Sequence, residues 1–531
     1  MKIVSPMAAC HKDSSSNACK QALEKGKDPF YLEAQPGATQ MTGWLKAWES
    51  SSSVFAVAVE NSQDISQAVL FAKKHHLKLV VKGTGHDYLG RSSAPNSLLI
   101  WTHNMRNITI DDQFKASGCE GDKGEPSVTV GAGVRWIEAY KAVTVEHGRF
   151  VQGGFCTSVG AAGGYIQGGG YGSFSKKFGT SSASILQAEV VTADGRILTV
   201  NRCQNPDLFW ALKGGGGGTF AVVSKVTLKT HELPENFGMV NGEIQAKSPK
   251  DFKLLILQFI HFYREKISNE HWGDGLVLTP SNKMILTLLF QGLDKQQSKE
   301  IWQDFVNWVK VRPKQYHLRI QITVIPARKF WDYEYRIKHF PESIMVSHNK
   351  QVAIEEFWWH ENQGEVLSYM SYYKSRYLPL TLFDKAHSQR FADALFNASK
   401  LINVSIFFNK GLAGASKEAL ASQSDTAMHP NVVKTAALVM LSGVQQYVFP
   451  DIQGLKPDLA KADADAKTAQ KAAQFIYDIA PGAGTYANEA DYFEPDWQRS
   501  FWGENYPRLL AIKKEVDPDG LFHCHHCVGS E

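Results

Sequence analysis

Two nucleophiles set in glycine-rich turns constrain this chain more than any other feature. His86 stands in Val80-Val81-Lys82-Gly83-Thr84-Gly85-His86-Asp87-Tyr88-Leu89-Gly90-Arg91-Ser92. Cys156 stands in Gly153-Gly154-Phe155-Cys156-Thr157-Ser158-Val159-Gly160, with Gly168-Gly169-Gly170-Tyr171-Gly172 close behind. Glycine lets backbone N–H groups approach a phosphate or a ring and accepts positive φ. A histidine and a cysteine presented in this way are placed to grip one planar group from two sides.

The 531 residues are enough for two or three domains with ample cores. A net charge of +4 gives no nucleic-acid footprint. No run of eighteen apolar residues offers a membrane span, and Met1 to Asn17 lacks the apolar core of a signal peptide. With Cys156 set aside, Cys10, Cys19, Cys119, Cys203, Cys524 and Cys527 are an even number, enough for three disulfides, with free thiols as the rival reading. That parity, with sequons at Asn107, Asn397 and Asn403, points to a secreted or periplasmic protein.

Periodicity predicts helices over 64–75, 134–147, 254–262, 301–309, 366–373, 386–396, 460–477 and 505–516. Strands are expected over 77–82, 96–102, 127–131, 220–230, 284–290, 317–324 and 437–441. Ala188 to Val200 reads as a hairpin around Asp194-Gly195. Residues 1–50 read as polar and irregular. Strands interleaved with helices predict an α+β fold. The Gly214–Gly218 run fails as a phosphate loop, because no lysine precedes Thr219 and a strand follows. Gly83, Gly85 and Gly90 are misspaced for a dinucleotide fingerprint. In His523-Cys524-His525-His526-Cys527, a disulfide is favoured over a zinc site.

The two nucleophile segments resemble those of flavoprotein oxidases of the vanillyl-alcohol-oxidase superfamily, in the berberine-bridge-enzyme-like branch. The match is strong from about residue 54 to 233 and again from 486 to 522. The resemblance implies a PCMH-type FAD-binding domain over 51–235, after an extension over 1–50. It implies a substrate domain over 236–480, an antiparallel sheet flanked by helices, and a segment over 481–531 that completes the FAD domain. It implies FAD bonded twice, to His86 and to Cys156. The implied cofactor-binding set is Lys82, Gly83, Thr84, Gly85, Asp87, Tyr88, Val159, Gly160, Gly163, Gly164, Tyr165, Gly170, Tyr171, Gly172, Val190 and Asn488, with Gly214–Gly218 beside the FAD. Val159 resembles the oxygen-gate position of oxidases. Thr84, Tyr165, and Phe178 in Lys176-Lys177-Phe178-Gly179 depart from the usual family residues.

Tyr486-Ala487-Asn488-Glu489 is similar to a family segment that lies over the flavin and makes Tyr486 the expected catalytic base, with Glu489 as rival. A phenol has a pKa of about 10, so such a site is expected to depress it. The implied reaction is oxidation of an alcohol or hydroxyl carbon, with O2 as the electron acceptor and hydrogen peroxide as product. The preferred substrate is a carbohydrate-type small molecule, read on an aromatic platform of Trp358, Trp359, Tyr369, Tyr372 and Tyr373. The expected state is a monomer without nucleic-acid or membrane partners. A dehydrogenase with an organic acceptor, an oxidative-cyclising tailoring enzyme and a non-catalytic binding protein are the alternatives.

Overall fold

The computed structural model describes residues 1–121, 123–347, 353 and 355–531. A parallel three-stranded sheet places Ser97–Trp101 between Phe55–Ala58 and Lys78–Lys82. The helix Ser62–Lys74 covers it, capped by the Asn61 side chain and burying Ile65, Ala68, Val69 and Ala72 at helical spacing. A second sheet joins Ile197–Asn201, Ile185–Val191, Val222–Glu232, Glu125–Gly131 and Ile108–Phe114 in that order, all antiparallel, with Arg149–Val151 also pairing the Val222–Glu232 strand. The expected hairpin is its edge: Val191 pairs Ile197 across Gly195, whose φ of +80° suits glycine.

The remainder is built on one nine-stranded sheet. Its order is Tyr316–Pro326, Asn236–Ala246, Lys283–Gln291, Trp272–Thr279, Val404–Phe407, Thr435–Gln446, Ser368–Pro379, Met41–Trp44 and Trp48–Glu49. Every pairing is antiparallel except that of Met41–Trp44 with Ser368–Pro379. Its helices are sequence-encoded. Ser248 caps Pro249–Phe262, which turns Phe252, Leu255, Ile256, Phe259 and Ile260 inward. Asp294 and Gln297 form a capping box on Lys295–Lys310, which buries Trp302, Phe305 and Val309.

Three expectations change. Of residues 366–373, expected as a helix, 368–373 open the strand Ser368–Pro379. This strand lies inside the sheet and is buried along most of both faces, so its apolar residues do not alternate. The helix expected over 134–147 is α-helical only over Trp136–Tyr140 and continues as a π-helix over Lys141–Glu146, whose wider turn buries the adjacent Val143 and Thr144. Residues 1–50 are ordered, with helices Ala8–Lys12, Asn17–Gly26 and Pro29–Glu33 ahead of the two strands, because Met7, Cys10, Cys19, Phe30, Leu32, Met41 and Trp44 are buried.

Cys10 and Cys19, Cys119 and Cys203, and Cys524 and Cys527 stand at disulfide distance, with Cα separations of 4.5, 5.5 and 5.3 Å; Cys156 is free. Among the described residues no helix is long and apolar enough to cross a membrane.

Candidate active site

The parallel strand Lys78–Lys82 delivers the His86 loop, and the short strand Arg149–Val151 leads into the Cys156 loop. The two loops meet. Gly160 N–H donates to Thr84 Oγ1 at 3.1 Å, and Ser158 Oγ lies 3.0 Å from His86 Nε2. Thr84, a departure from the family's usual glycine, is thus a clamp between them. With Nε2 engaged, Nδ1 has no hydrogen-bond partner among the described residues. Burial pulls the imidazole pKa down to about 4, so the ring is neutral and keeps a lone pair for bonding.

The Cys156 loop is pinned from behind. Trp136 N–H donates to Val159 O and Ile137 N–H to Thr157 O, both at 3.0 Å. Between Val134 and Trp136, Arg135 is 2% exposed and bonds three carboxylates. Its Nη1 reaches Glu33 Oε1 at 2.8 Å, its Nη2 Glu356 Oε1 at 2.6 Å and its Nε Glu138 Oε2 at 3.1 Å.

The second glycine run turns towards the same place. Gly163 and Gly164 open the turn Gly164–Gln167, and a Cβ on either meets nothing within 4 Å, so a cofactor has room over both. Gly214 and Gly216 N–H both donate to Gln167 O at 3.0 Å, which stacks the Gly214–Gly218 run beside this turn. The C-terminal part closes the back: Trp502 Nε1 donates to Gly214 O at 2.9 Å and Lys513 Nζ to Thr219 O at 2.7 Å. A neutral imidazole, a free thiol and open glycine backbone fit a flavin held from two sides.

Above this floor sits a charged cluster. Glu489 pairs with Lys410, which follows the strand Val404–Phe407. Asp274 lies in the strand Trp272–Thr279 at φ +53°, and burial raises its carboxyl to about 7. Glu365 ends the turn His360–Glu365 and accepts from the Cys156 thiol at 3.8 Å. The Tyr373 hydroxyl is buried with no hydrogen-bond partner among the described residues, close enough to the Glu489 and Glu365 carboxyls for burial and their charge to raise its pKa. Glu365, Lys410 and Asp274 carry no motif and were invisible in the sequence.

Tyr486 departs from expectation. Its hydroxyl accepts from Gly170 N–H and from Asn488 Nδ2, both at 3.0 Å. Burial, reinforced by the Glu489 carboxylate, raises its pKa rather than depressing it, so the phenol keeps its proton. Asn488 Nδ2 also donates to Gly164 O and Tyr165 O, at 3.1 and 3.2 Å, tying Tyr486 to the glycine turn.

Several other side chains of the expected cofactor-binding set are engaged within the protein. Lys82 donates its three N–H bonds to Gln35 O, Pro36 O and Ala38 O at 2.7, 2.9 and 2.8 Å, which leaves none for a cofactor. The Asp87 carboxylate accepts from the backbone and guanidinium of Arg91 and so closes its own loop. Val190 is fully buried in the core and paired with Leu198 and Val223. Tyr171 Oη meets Tyr377 Oη at 3.2 Å, and a Cβ on Gly172 falls 2.1 Å from Gly153 O, so both serve packing. Of the proposed sugar platform, Trp358, Trp359, Tyr369 and Tyr373 are buried, because this stretch is strand and core.

Burial and the neighbouring Glu365 carboxylate raise the Cys156 thiol well above its ordinary pKa. In flavin-free protein, iodoacetamide at pH 8 is expected to alkylate Cys156 at least about tenfold more slowly than a small free thiol, because only the thiolate reacts. An equal rate contradicts the buried setting.

The family described as FAD binding domain matches residues 54–201, and the one described as berberine and berberine like matches residues 485–529. An uncharacterised FAD-linked oxidoreductase of Arthroderma benhamiae is 30% identical, over 99% of this chain and 88% of its own. The VAO-type flavoprotein oxidase VAO615 of Thermothelomyces thermophilus is 30% identical, over 90% of this chain and 76% of its own. The crystal structure of the VAO-type flavoprotein MtVAO615 from Myceliophthora thermophila C1 overlays with a TM-score of 0.80 at 25% identity, covering 100% of this chain and 92% of that one. A glucooligosaccharide oxidase from Acremonium strictum, described with a 6-S-cysteinyl, 8α-N1-histidyl FAD, shares the fold at a TM-score of 0.67 and 21% identity, over 90% of this chain and 91% of its own. The chain therefore belongs to the FAD-linked oxidoreductases of the VAO type, in the berberine-bridge-enzyme-like branch. It is an α+β flavoenzyme with a PCMH-type FAD-binding fold.

Proposed function

We propose that this enzyme oxidises a hydroxyl-bearing carbon of a small molecule at an FAD attached through both His86 and Cys156. The observation that carries the reading is the meeting of the His86 and Cys156 loops below the Lys410–Glu489 pair. FAD, once bound, supplies a two-electron acceptor for the carbon's hydride and passes the electrons to O2, giving hydrogen peroxide. His86 offers Nδ1 and Cys156 its sulfur as attachment points, and Gly163 and Gly164 leave the room. The cofactor unit combines 51–235 with 481–531, and 236–480 forms the substrate side after the 1–50 extension.

The chain's own residues then handle the proton. Glu489 takes it from the substrate hydroxyl, its carboxylate being held in place by the ion pair with Lys410. Tyr486, protonated and fixed by Gly170 and Asn488, orients the substrate. Tyr373 offers its unpartnered hydroxyl as a further contact. Val159 leaves O2 a path that a bulkier side chain closes.

A carbohydrate hydroxyl is the donor class to test first, since fold neighbours include glucooligosaccharide and chitooligosaccharide oxidases. With the aromatic platform buried, recognition falls to the polar groups of the cleft. The paired cysteines and the sequons support a secreted or periplasmic protein.

Acid precipitation of the native protein is expected to bring the yellow flavin down with the polypeptide. His86→Ala and Cys156→Ala are each expected to leave one linkage, and free FAD in the wild-type supernatant contradicts the proposal. A peroxide-coupled screen over sugars, aromatic alcohols and hydroxy acids tests the donor. Reduction of the flavin without peroxide formation in air favours a dehydrogenase.

A further inference from the structure

The Cys156 loop is held residue by residue by one distant segment. Trp359 Nε1 donates to Phe155 O at 2.9 Å, and its ring stacks on Phe155 with centroids 5.3 Å apart. Thr157 Oγ1 donates to Phe357 O at 2.6 Å. Between them the Cys156 thiol donates to Glu365 Oε2 at 3.8 Å. The segment is itself anchored: Phe357–Trp359 pairs with Ile344–Val346, and the Arg336 guanidinium lies 4.8 Å from the Trp359 ring centroid. Glu365 also lies near enough to Tyr88 of the His86 loop to add to the burial that raises that phenol's pKa, so one carboxyl neighbours both attachment loops.

A thiol is a poor nucleophile until it loses its proton. No cation contacts Cys156 among the described residues, and the nearby Lys410 ammonium is taken by Glu489. Burial also works against a standing thiolate. Sulfur at this position therefore needs a base in contact with it, and a carboxyl held above its ordinary pKa is a stronger proton acceptor than a solvated one.

We infer that Glu365 is the proton acceptor that activates Cys156 for bonding to the flavin, and that the segment Phe357–Glu365 holds the thiol against it. The inference rests on the double attachment proposed above. In the step, the S–H bond breaks and a C–S bond forms to a ring carbon of the flavin. The thiol proton goes to Glu365 and two electrons enter the ring. The ring carbon's own hydrogen leaves as a proton to solvent, and O2 takes up the two electrons and two protons as hydrogen peroxide.

The test follows attachment, not turnover. Protein made in a riboflavin-starved host is given FAD, and the peptides containing His86 and Cys156 are followed by mass spectrometry. In wild type both are expected to gain flavin mass. In Glu365→Gln the His86 peptide is expected to load normally, while the Cys156 peptide loads about 10²-fold more slowly. Glu365→Asp is expected to fall between the two, and formate added to Glu365→Ala to restore part of the rate, which a merely structural role does not allow. Wild-type loading of Cys156 in Glu365→Gln overturns the inference. So does equal loss at both peptides in Glu365→Gln and Glu365→Asp alike, or no response to formate. A bare Cys156 peptide in the wild type instead overturns the double attachment itself, before any variant is made.

Discussion

Glu489→Gln is expected to lower kcat by about 10²–10⁴-fold while the protein keeps its flavin and visible spectrum. The amide preserves shape and removes the proton acceptor, and it leaves Lys410 without its carboxylate partner. Rapid mixing with substrate under anaerobic conditions isolates the loss in the flavin-bleaching step. Tyr486→Phe is expected to cost less, since the protonated phenol positions but does not take the proton. Its removal leaves Gly170 N–H without this acceptor, while Asn488 Nδ2 keeps Gly164 O and Tyr165 O. If Tyr486→Phe stops bleaching and Glu489→Gln does not, the roles are reversed and Tyr486 is the base.

Arg135→Met is expected to destabilise the protein by about 3–5 kcal/mol, because it strands carboxylates in a poorly solvated place. Glu33, 2% exposed, loses its 2.8 Å partner, and Glu356 loses one at 2.6 Å. Arg106 reaches Glu138 at 2.8 Å and stands 3.9 Å from Glu33, which softens the loss only in part. The denaturant midpoint of the holoenzyme measures the effect. Adding Glu33→Gln to Arg135→Met is expected to recover part of it, and a midpoint unmoved by Arg135→Met rules out a structural role for the cluster. Because Val134 and Trp136 bond Ala161 and Val159, slower flavin loading at Cys156 is expected to accompany the lost stability.

The sequence carried the floor of the site and little of its roof. His86, Cys156, Gly163 and Gly164 lie in contiguous motifs whose glycine spacing is itself the structural constraint, so their candidacy was legible. Glu365, Lys410 and Asp274 come from three separate parts of the chain and converge only through the nine-stranded sheet and the turn beside it. No spacing links such residues. The strand Ser368–Pro379 was misread because Val366, Tyr369 and Tyr373 recur at helical intervals, while burial on both faces erases the alternation that marks a strand. The resemblance puts Lys82 in the cofactor-binding set, but its ammonium points backwards into Gln35–Ala38, a direction no motif encodes. Val190 belongs to a core strand, and nothing in its neighbours separates that position from a lining one.

That backward-pointing ammonium has a mechanical consequence. Lys82 grips Gln35–Ala38, and a few residues on, Met41–Trp44 is hydrogen-bonded into the large sheet beside Ser368–Pro379. The same short stretch is riveted to the His86 strand at one end and to the opposite wall at the other. The two walls therefore cannot swing apart like jaws without unzipping a strand. Any rearrangement around the site is therefore expected in side chains and loops rather than in a swing of the walls.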